Sequence, residues 1–184
     1  MRYVALLRGI NVGGNNKIEM KRLKASFERA GMQDVCTYLN TGNVVFESDA
    51  ASRTELAAVL ESAILDDLSL AIPVLVRSVE DVAAVLAAVP AHWTNDERMR
   101  SEVMFLWDDV DAYAALAQLP ARPGIDTTLA APGALLWSVD RGNVTRSGMS
   151  KLIGTELYAR MTIRNLNTAR KIYELMHRPA PSSL

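Results

Sequence analysis

Twice along this chain a short apolar run opens the same succession of strand and helix signals, and few folds accommodate that succession. The first run, Tyr3-Val4-Ala5-Leu6-Leu7, lies between Arg2 and Arg8 and has no polar interruption, as a central strand does. Helical spacing follows in Met20, Leu23, Phe27 and Ala30, with Gly31 as a stop and Asn16 plus Glu19 resembling a capping box at the start. Strands are expected at residues 35–39 and 44–46, joined through Asn40-Thr41-Gly42-Asn43, a hairpin signal. Ser52 with Glu55 caps the next helix, whose stripe is Leu56, Val59, Leu60, Ala63 and Ile64. A fourth strand at residues 72–76 contains Pro73, which suits an edge and not a centre.

The second half repeats the order more loosely. A strand at 103–107 leads through Asp108, Asp109 and Asp111 into a helix marked by Tyr113, Leu116 and Leu119. Strands at 127–130 and 135–139 flank Pro132-Gly133; a helix at 151–161, a short strand at 161–163 and a last helix at 168–177 complete it. Between the halves lie a helix at 79–89 and a linker at 90–100. The expected fold class is α+β: two tandem ferredoxin-like βαββαβ units with antiparallel sheets, residues 1–78 and 101–178, plus an extra C-terminal helix. Residues 179–184 are expected to be a disordered tail. The halves share a pattern of elements and no residue-level repeat.

That topology also places loops. With the third strand between the first and second, the hairpin at Thr41-Gly42-Asn43 falls on the same edge as the loop that follows the first strand. In the second half the loop at 141–150 falls on one edge with Arg164-Asn165-Leu166-Asn167-Thr168.

The loop after the first strand is where chemistry is most legible. It reads Arg8-Gly9-Ile10-Asn11-Val12-Gly13-Gly14-Asn15-Asn16-Lys17, longer than a usual strand-to-helix connection. Gly9 and Gly14 have the gap of GxxxxGK[ST], but Asn15 and Asn16 replace the lysine and hydroxyl residue, and GxGxxG fails as well. Nucleotide hydrolysis and dinucleotide binding are thereby disfavoured. What survives is a Gly/Asn-rich loop able to adopt positive φ and turn backbone N–H groups toward an anion, flanked by Arg8 and Lys17. The alternative is a loop held by Asn–backbone hydrogen bonds with no ligand.

Other motifs are weaker. Ser147-Gly148-Met149-Ser150-Lys151 opens a helix where phosphate could bind, although a serine N-cap explains it as well. Arg164, Asn165 and Asn167 could clamp a ligand, with Asn167 or Thr168 capping the helix behind. Gly42, Val44 and Phe46 match part of an RNA-recognition pattern and Tyr3 offers one stacking platform, but Thr41 and Asn43 stand where aromatics belong. His92 and His177 are too isolated for a metal site or a catalytic triad, and adjacent pairs such as Asp66-Asp67 suit helix ends. Cys36, the only cysteine, is expected to be a buried, inert thiol within a strand.

The net charge of −1 conceals segregation: residues 1–35 carry seven basic and three acidic side chains, residues 47–111 four and fourteen, residues 141–184 eight and two. A pI near 6 argues against general polyanion binding, while a local basic patch stays open. No apolar run approaches the ~20 residues that span a bilayer, and Met1-Arg2 leads into no signal peptide. The expectation is a cytoplasmic protein without a membrane partner.

The run from Tyr3 to Gly14 resembles the N-terminal signature of an uncharacterised bacterial family, the domain of unknown function family 1697. Thr41-Gly42-Asn43-Val44-Val45-Phe46-Glu47-Ser48 is similar to its second signature, and Arg164-Asn165-Leu166-Asn167-Thr168 to its C-terminal one, with Leu166 where members commonly carry an aromatic. Ser147-Gly148-Met149-Ser150-Lys151-Leu152 resembles a lengthened form of its Ser-Lys-Leu element. The resemblance implies an α+β fold of two related halves and supplies no activity.

The leading expectation is a protein that binds a small anionic or phosphate-bearing ligand through Arg8, Asn11, Gly13, Gly14, Asn15, Asn16, Lys17, Thr41 and Asn43. Ser147, Lys151, Arg164, Asn165 and Asn167 are secondary candidates. No cofactor, metal or catalytic residue is assigned, and the oligomeric state is left open. The alternatives are a single-stranded nucleic-acid binding module and an enzyme that stabilises negative charge with backbone N–H, Arg and Asn groups.

Overall fold

The computed structural model describes residues 1–50 and 52–178. The expected tail at 179–184 lies outside the described residues. The chain divides into two compact units, Met1–Val79 with the chain from Ile172 onward, and Glu80–Lys171.

In the first unit β1 (Arg2–Leu7), α1 (Met20–Arg29), β2 (Gln33–Tyr38), β3 (Asn43–Glu47), α2 (Arg53–Leu68) and β4 (Val74–Ser78) follow in turn. The sheet order is β2-β3-β1-β4 with every neighbour antiparallel. Tyr3, Ala5 and Leu7 pack with Phe46, with Leu23 and Phe27 of α1, and with Leu56, Leu60 and Ile64 of α2. Val4 and Leu6, on the other face of β1, are equally buried, so the uninterrupted run is a strand covered on both sides. β4 takes an edge, as Pro73 requires, with the proline just ahead of the strand and accepting from the Arg8 N–H. Ser52 accepts from the Glu55 N–H at the start of α2, as expected.

Three local expectations are corrected here. No side-chain bond caps α1: its N-cap position is Glu19, three residues beyond Asn16, whose Nδ2 donates to the Gly9 carbonyl. Val59 is exposed, since α2 buries only the Leu56, Leu60 and Ile64 line. Cys36 is exposed as well: Val35 faces the core, and strand alternation turns its neighbour to the opposite side of an edge strand.

Next in the chain is α3 (Val79–Ala87), and the second unit begins at its second residue, Glu80. β5 (Met99–Leu106), α4 (Ala112–Leu116), β6 (Asp126–Ala131), β7 (Ala134–Asp140) and β8 (Met161–Asn165) follow, and α6 (Leu166–Met176) closes the described chain. The sheet order is β6-β7-β5-β8, again antiparallel throughout. In both sheets the first strand lies between the third and fourth. β5 starts four residues earlier than expected and takes in part of the expected linker.

The expected helix at 151–161 is absent. After a first 3-10 turn at Arg141–Arg146, the end of a second, Gly148–Leu152, and the four-residue α5 (Glu156–Ala159) stand there. Gly154 at φ +86° interrupts the run and Thr155 caps α5 afresh. In α4 the core side is Ala112 and Ala115, while Tyr113 is exposed.

One residue-level correspondence emerges that pattern alone did not reveal. Arg77 in β4 faces Val4 across the sheet, and Arg164 in β8 faces Val103. Both arginines are buried, and each donates from Nη1 to the carbonyl of the residue before it, Val76 or Ile163. No helix among the described residues is long and apolar enough to cross a membrane.

Candidate functional site

The chain leaving β1 is pinned at once. Leu7 N–H donates to Gly42 O at 2.8 Å, which joins the β2–β3 turn to the start of the long loop. Gly42 has φ +82°, and a Cβ there would stand 2.7 Å from Leu7 Cβ and 2.8 Å from Ile10 Cδ1. Only glycine lets the turn close on that wall. Buried Ile10 then anchors the loop in the core.

Beyond Ile10 the loop makes its own hairpin. Val12 pairs with Asn15, Asn15 N–H donates to Val12 O at 3.1 Å, and Asn11 N–H to Asn16 O at 3.2 Å. Gly13 and Gly14, at φ +60° and +83°, form its tip with the two positive φ values of a type I′ turn. The Asn11 side chain closes the base: Nδ2 donates to Ile18 O and Asn40 O at 3.0 and 2.7 Å, and Oδ1 accepts from Ile18 N–H at 2.9 Å. Asn16 Nδ2 donates to Gly9 O at 2.9 Å. Asn43, wholly buried, donates to Tyr38 O and Thr41 Oγ1.

Those bonds sort the expected ligand residues. Asn11, Asn16 and Asn43 hold backbone, so their amides build the loop. Arg8 is half-buried and carries its N–H to Pro73, while Thr41 is exposed with its hydroxyl toward Asn43. Asn15, Lys17 and the two glycines of the tip are exposed. Thr41-Gly42-Asn43 does lie beside the loop, on the edge that the strand order called for.

A hollow of about 550 Å³ opens between this hairpin and the start of α1. Gly14, Lys17, Glu19, Arg22 and Asn40 line it together with Asn11 and Ile18. Arg22 went unnoticed in the sequence; its position three residues beyond Glu19, on the first turn of α1, was the available signal. The hairpin uses the N–H groups of Asn11 and Asn15 and leaves those of Gly13 and Gly14 outside its bonds. Two cations against the Glu19 carboxylate leave the lining with a positive balance.

Tyr3 and Phe46 stack at 5.8 Å inside the core, and the Tyr3 hydroxyl donates to Ala50 O. Neither ring offers a face for a base.

The secondary candidates belong to the second unit. Ser147 caps the second 3-10 turn by accepting from Met149 N–H, and its hydroxyl donates to Asp126 at 2.5 Å. Burial opposes ionisation of Asp126, but Ser147 Oγ, the Arg122 N–H, Trp137 Nε1 and the Gly148 N–H all donate to it, so its carboxyl lies below the usual carboxylate range. Asn165, and neither Asn167 nor Thr168, caps α6, with Oδ1 accepting from Thr168 N–H at 2.8 Å. Asn167 Nδ2 donates to Asn95 O, and Lys151 is exposed. Arg164 is buried, which lowers its guanidinium to about 10, and Nη1 also donates to Thr162 Oγ1. Asn165 and Asn167 each hold a backbone partner, through Oδ1 and Nδ2 respectively. Among the described residues no three His, Cys, Asp or Glu side chains gather as a metal would need.

A family model described as "Protein of unknown function (DUF1697)" matches residues 1–137. The span includes the loop and hairpin signatures and ends before Ser147 and Arg164. Among solved structures, the conserved bacterial protein SP0830 from Streptococcus pneumoniae is 28% identical, with a TM-score of 0.82, over 95% of this chain and 98% of that one. No curated protein matches the chain.

Proposed function

The chain belongs to the DUF1697 family, and from that premise we propose that it binds a small anionic, phosphate-bearing ligand beside the Gly13-Gly14 hairpin. One observation carries this: Lys17, Arg22 and Gly14 line a single hollow of about 550 Å³ at the start of α1. The ligand contacts pass from the loop's asparagines to its neighbours. Lys17 and Arg22 supply charge, Gly14 an N–H outside the hairpin's bonds and Asn40 a further polar wall, while Asn11 and Asn16 hold the hairpin in shape. Glu19 repels any anion, and Lys17 with Arg22 outweighs it by one charge, so the lining as a whole favours an anionic occupant.

The same proposal takes the two sheets as tandem ferredoxin-like βαββαβ units. Their common strand order supports it, and the second unit departs from the pattern where 3-10 turns stand in for its second helix.

The test is titration with inorganic phosphate and pyrophosphate at constant ionic strength, read by thermal shift and calorimetry. Pyrophosphate should raise the melting temperature saturably. Lys17→Ala with Arg22→Ala should abolish the response, and Lys151→Ala should leave it intact. An equal response to chloride, or a response that survives the double substitution, refutes the proposal. Tight binding of single-stranded RNA under the same conditions would favour the nucleic-acid alternative.

A further inference from the structure

The second unit carries a cavity of about 410 Å³, lined in part by the element at residues 147–152. Its origin is the missing helix. In the first unit the 16-residue α2 covers the sheet; in the second, the corresponding cover is two 3-10 turns and the four-residue α5. Short turns leave part of the sheet uncovered, and that part is polar at one end. Arg100 and Glu102 are two apart on β5 and so share a face, and Trp137 on β7 stands directly opposite Glu102. All three line the cavity, with Met104, Met149 and Leu152 as its apolar wall.

The charged pair is arranged in an uneven way. Arg100 lies over the Trp137 ring at 5.2 Å, and its Nε and Nη2 both donate to the same oxygen, Glu102 Oε1, at 3.0 and 2.6 Å. Arg100 Nη1 and Glu102 Oε2 are left without a protein partner among the described residues. The Glu102 side chain is only 15% exposed. The Arg100 side chain is 39% exposed and neither atom is sealed from solvent, so both are open to a matching ligand that replaces water on them.

We infer that this cavity binds a small planar ligand whose polar edge presents a hydrogen-bond donor next to an acceptor, as a primary amide or a lactam does. The donor meets Glu102 Oε2, the acceptor meets Arg100 Nη1, and the ring lies against Trp137 and the methionines. The volume falls within the range of small-molecule sites. A ligand carrying only a carboxylate is opposed by Glu102, and one carrying only an ammonium is opposed by Arg100.

The experiment uses benzamide, benzoate and benzylammonium as probes and follows the tryptophan indole resonances of the 15N-labelled full chain. Trp137→Phe assigns the Trp137 signal. Benzamide should shift that signal saturably, and the two charged probes should bind about tenfold more weakly, the factor that one mismatched polar contact supplies. Ser150 is exposed at the cavity, and Ser150→Trp should abolish the benzamide shift of the Trp137 signal while adding one new indole resonance and leaving the others in place. Glu102→Gln leaves Arg100 without its counter-charge and should reverse the order, with benzoate ahead of benzamide. Equal affinity for the three probes, no shift from any of them at millimolar concentration, or a benzamide shift that persists in Ser150→Trp overturns the inference.

Discussion

Asp126 gives the second unit its most testable joint. Its Oδ1 accepts from Trp137 Nε1 at 2.9 Å and Ser147 Oγ at 2.5 Å; its Oδ2 accepts from Arg122 N–H at 2.8 Å and Gly148 N–H at 2.9 Å. One carboxylate thus ties β6 to β7 and to the second 3-10 turn. Hydrogen bonds to a charged acceptor contribute about 1.5–3 kcal/mol each, but this residue is only partly buried and its four bonds are not additive. Water replaces the carboxylate at exposed Arg122, and solvent screening reduces the rest, so Asp126→Ala should cost roughly 3 kcal/mol. Asp126→Asn keeps one acceptor but turns an NH₂ toward two donors, and should cost roughly 2 kcal/mol. For a chain of this size those losses correspond to about 6–12 °C in melting temperature for the alanine variant. The sign with pH follows from the lowered carboxyl: its stabilisation is present above the unfolded value near 3.9 and is lost as pH falls through the folded value. Urea unfolding of wild type and Asp126→Asn at pH 7, and again below pH 3, should therefore show a gap that closes on acidification. A gap of the same size at both pH values, or an alanine variant within about 1 kcal/mol of wild type, refutes the reasoning.

Gly42→Ala combines positive-φ strain with overlap against Leu7 and Ile10 and should destabilise the first unit by roughly 3 kcal/mol in a denaturant titration. Asn11→Ala removes three bonds from the hairpin base and should speed limited proteolysis at Gly13-Gly14, with less effect on global unfolding. Exposed Cys36 should react with a water-soluble thiol reagent at the same rate in native buffer and in denaturant to within about tenfold, whereas a buried thiol would wait for unfolding. The Lys24–Glu28 pair, 3.7 Å apart with both side chains half-exposed, should change stability by less than ~0.5 kcal/mol in Lys24→Ala.

The sheet cores were legible because uninterrupted or alternating apolar runs leave few choices. Tyr3 to Leu7 could only be central, and Pro73 marked the edge. The closeness of Thr41-Gly42-Asn43 to the long loop followed from strand order, and Gly42 packed on Leu7 is its physical expression. Side-chain amides were harder to read. Asn residues at positive φ near backbone carbonyls serve the loop as readily as a ligand, and composition does not separate the two uses. The helix expected at 151–161 runs across Gly154, and the positive φ there breaks it. Arg100 and Glu102 escaped notice because the strand begins inside residues that resemble a linker; charged residues two apart ahead of Val103 were the cue. The paired Arg77 and Arg164 were invisible until register aligned them, since their neighbours differ.

The first unit is discontinuous in the chain. It takes Met1–Val79 and then resumes at Ile172, where Ile172, Leu175 and Met176 are buried and Arg2 donates to the carbonyl of Arg178. On the ribosome, where about 5–20 residues are added each second, this sets an order of completion. The segment Glu80–Lys171 has all its residues in hand first. The unit that is synthesised first waits with its own last piece missing until residue 178 has emerged, and in that interval the half-formed unit is the one a chaperone or protease would meet.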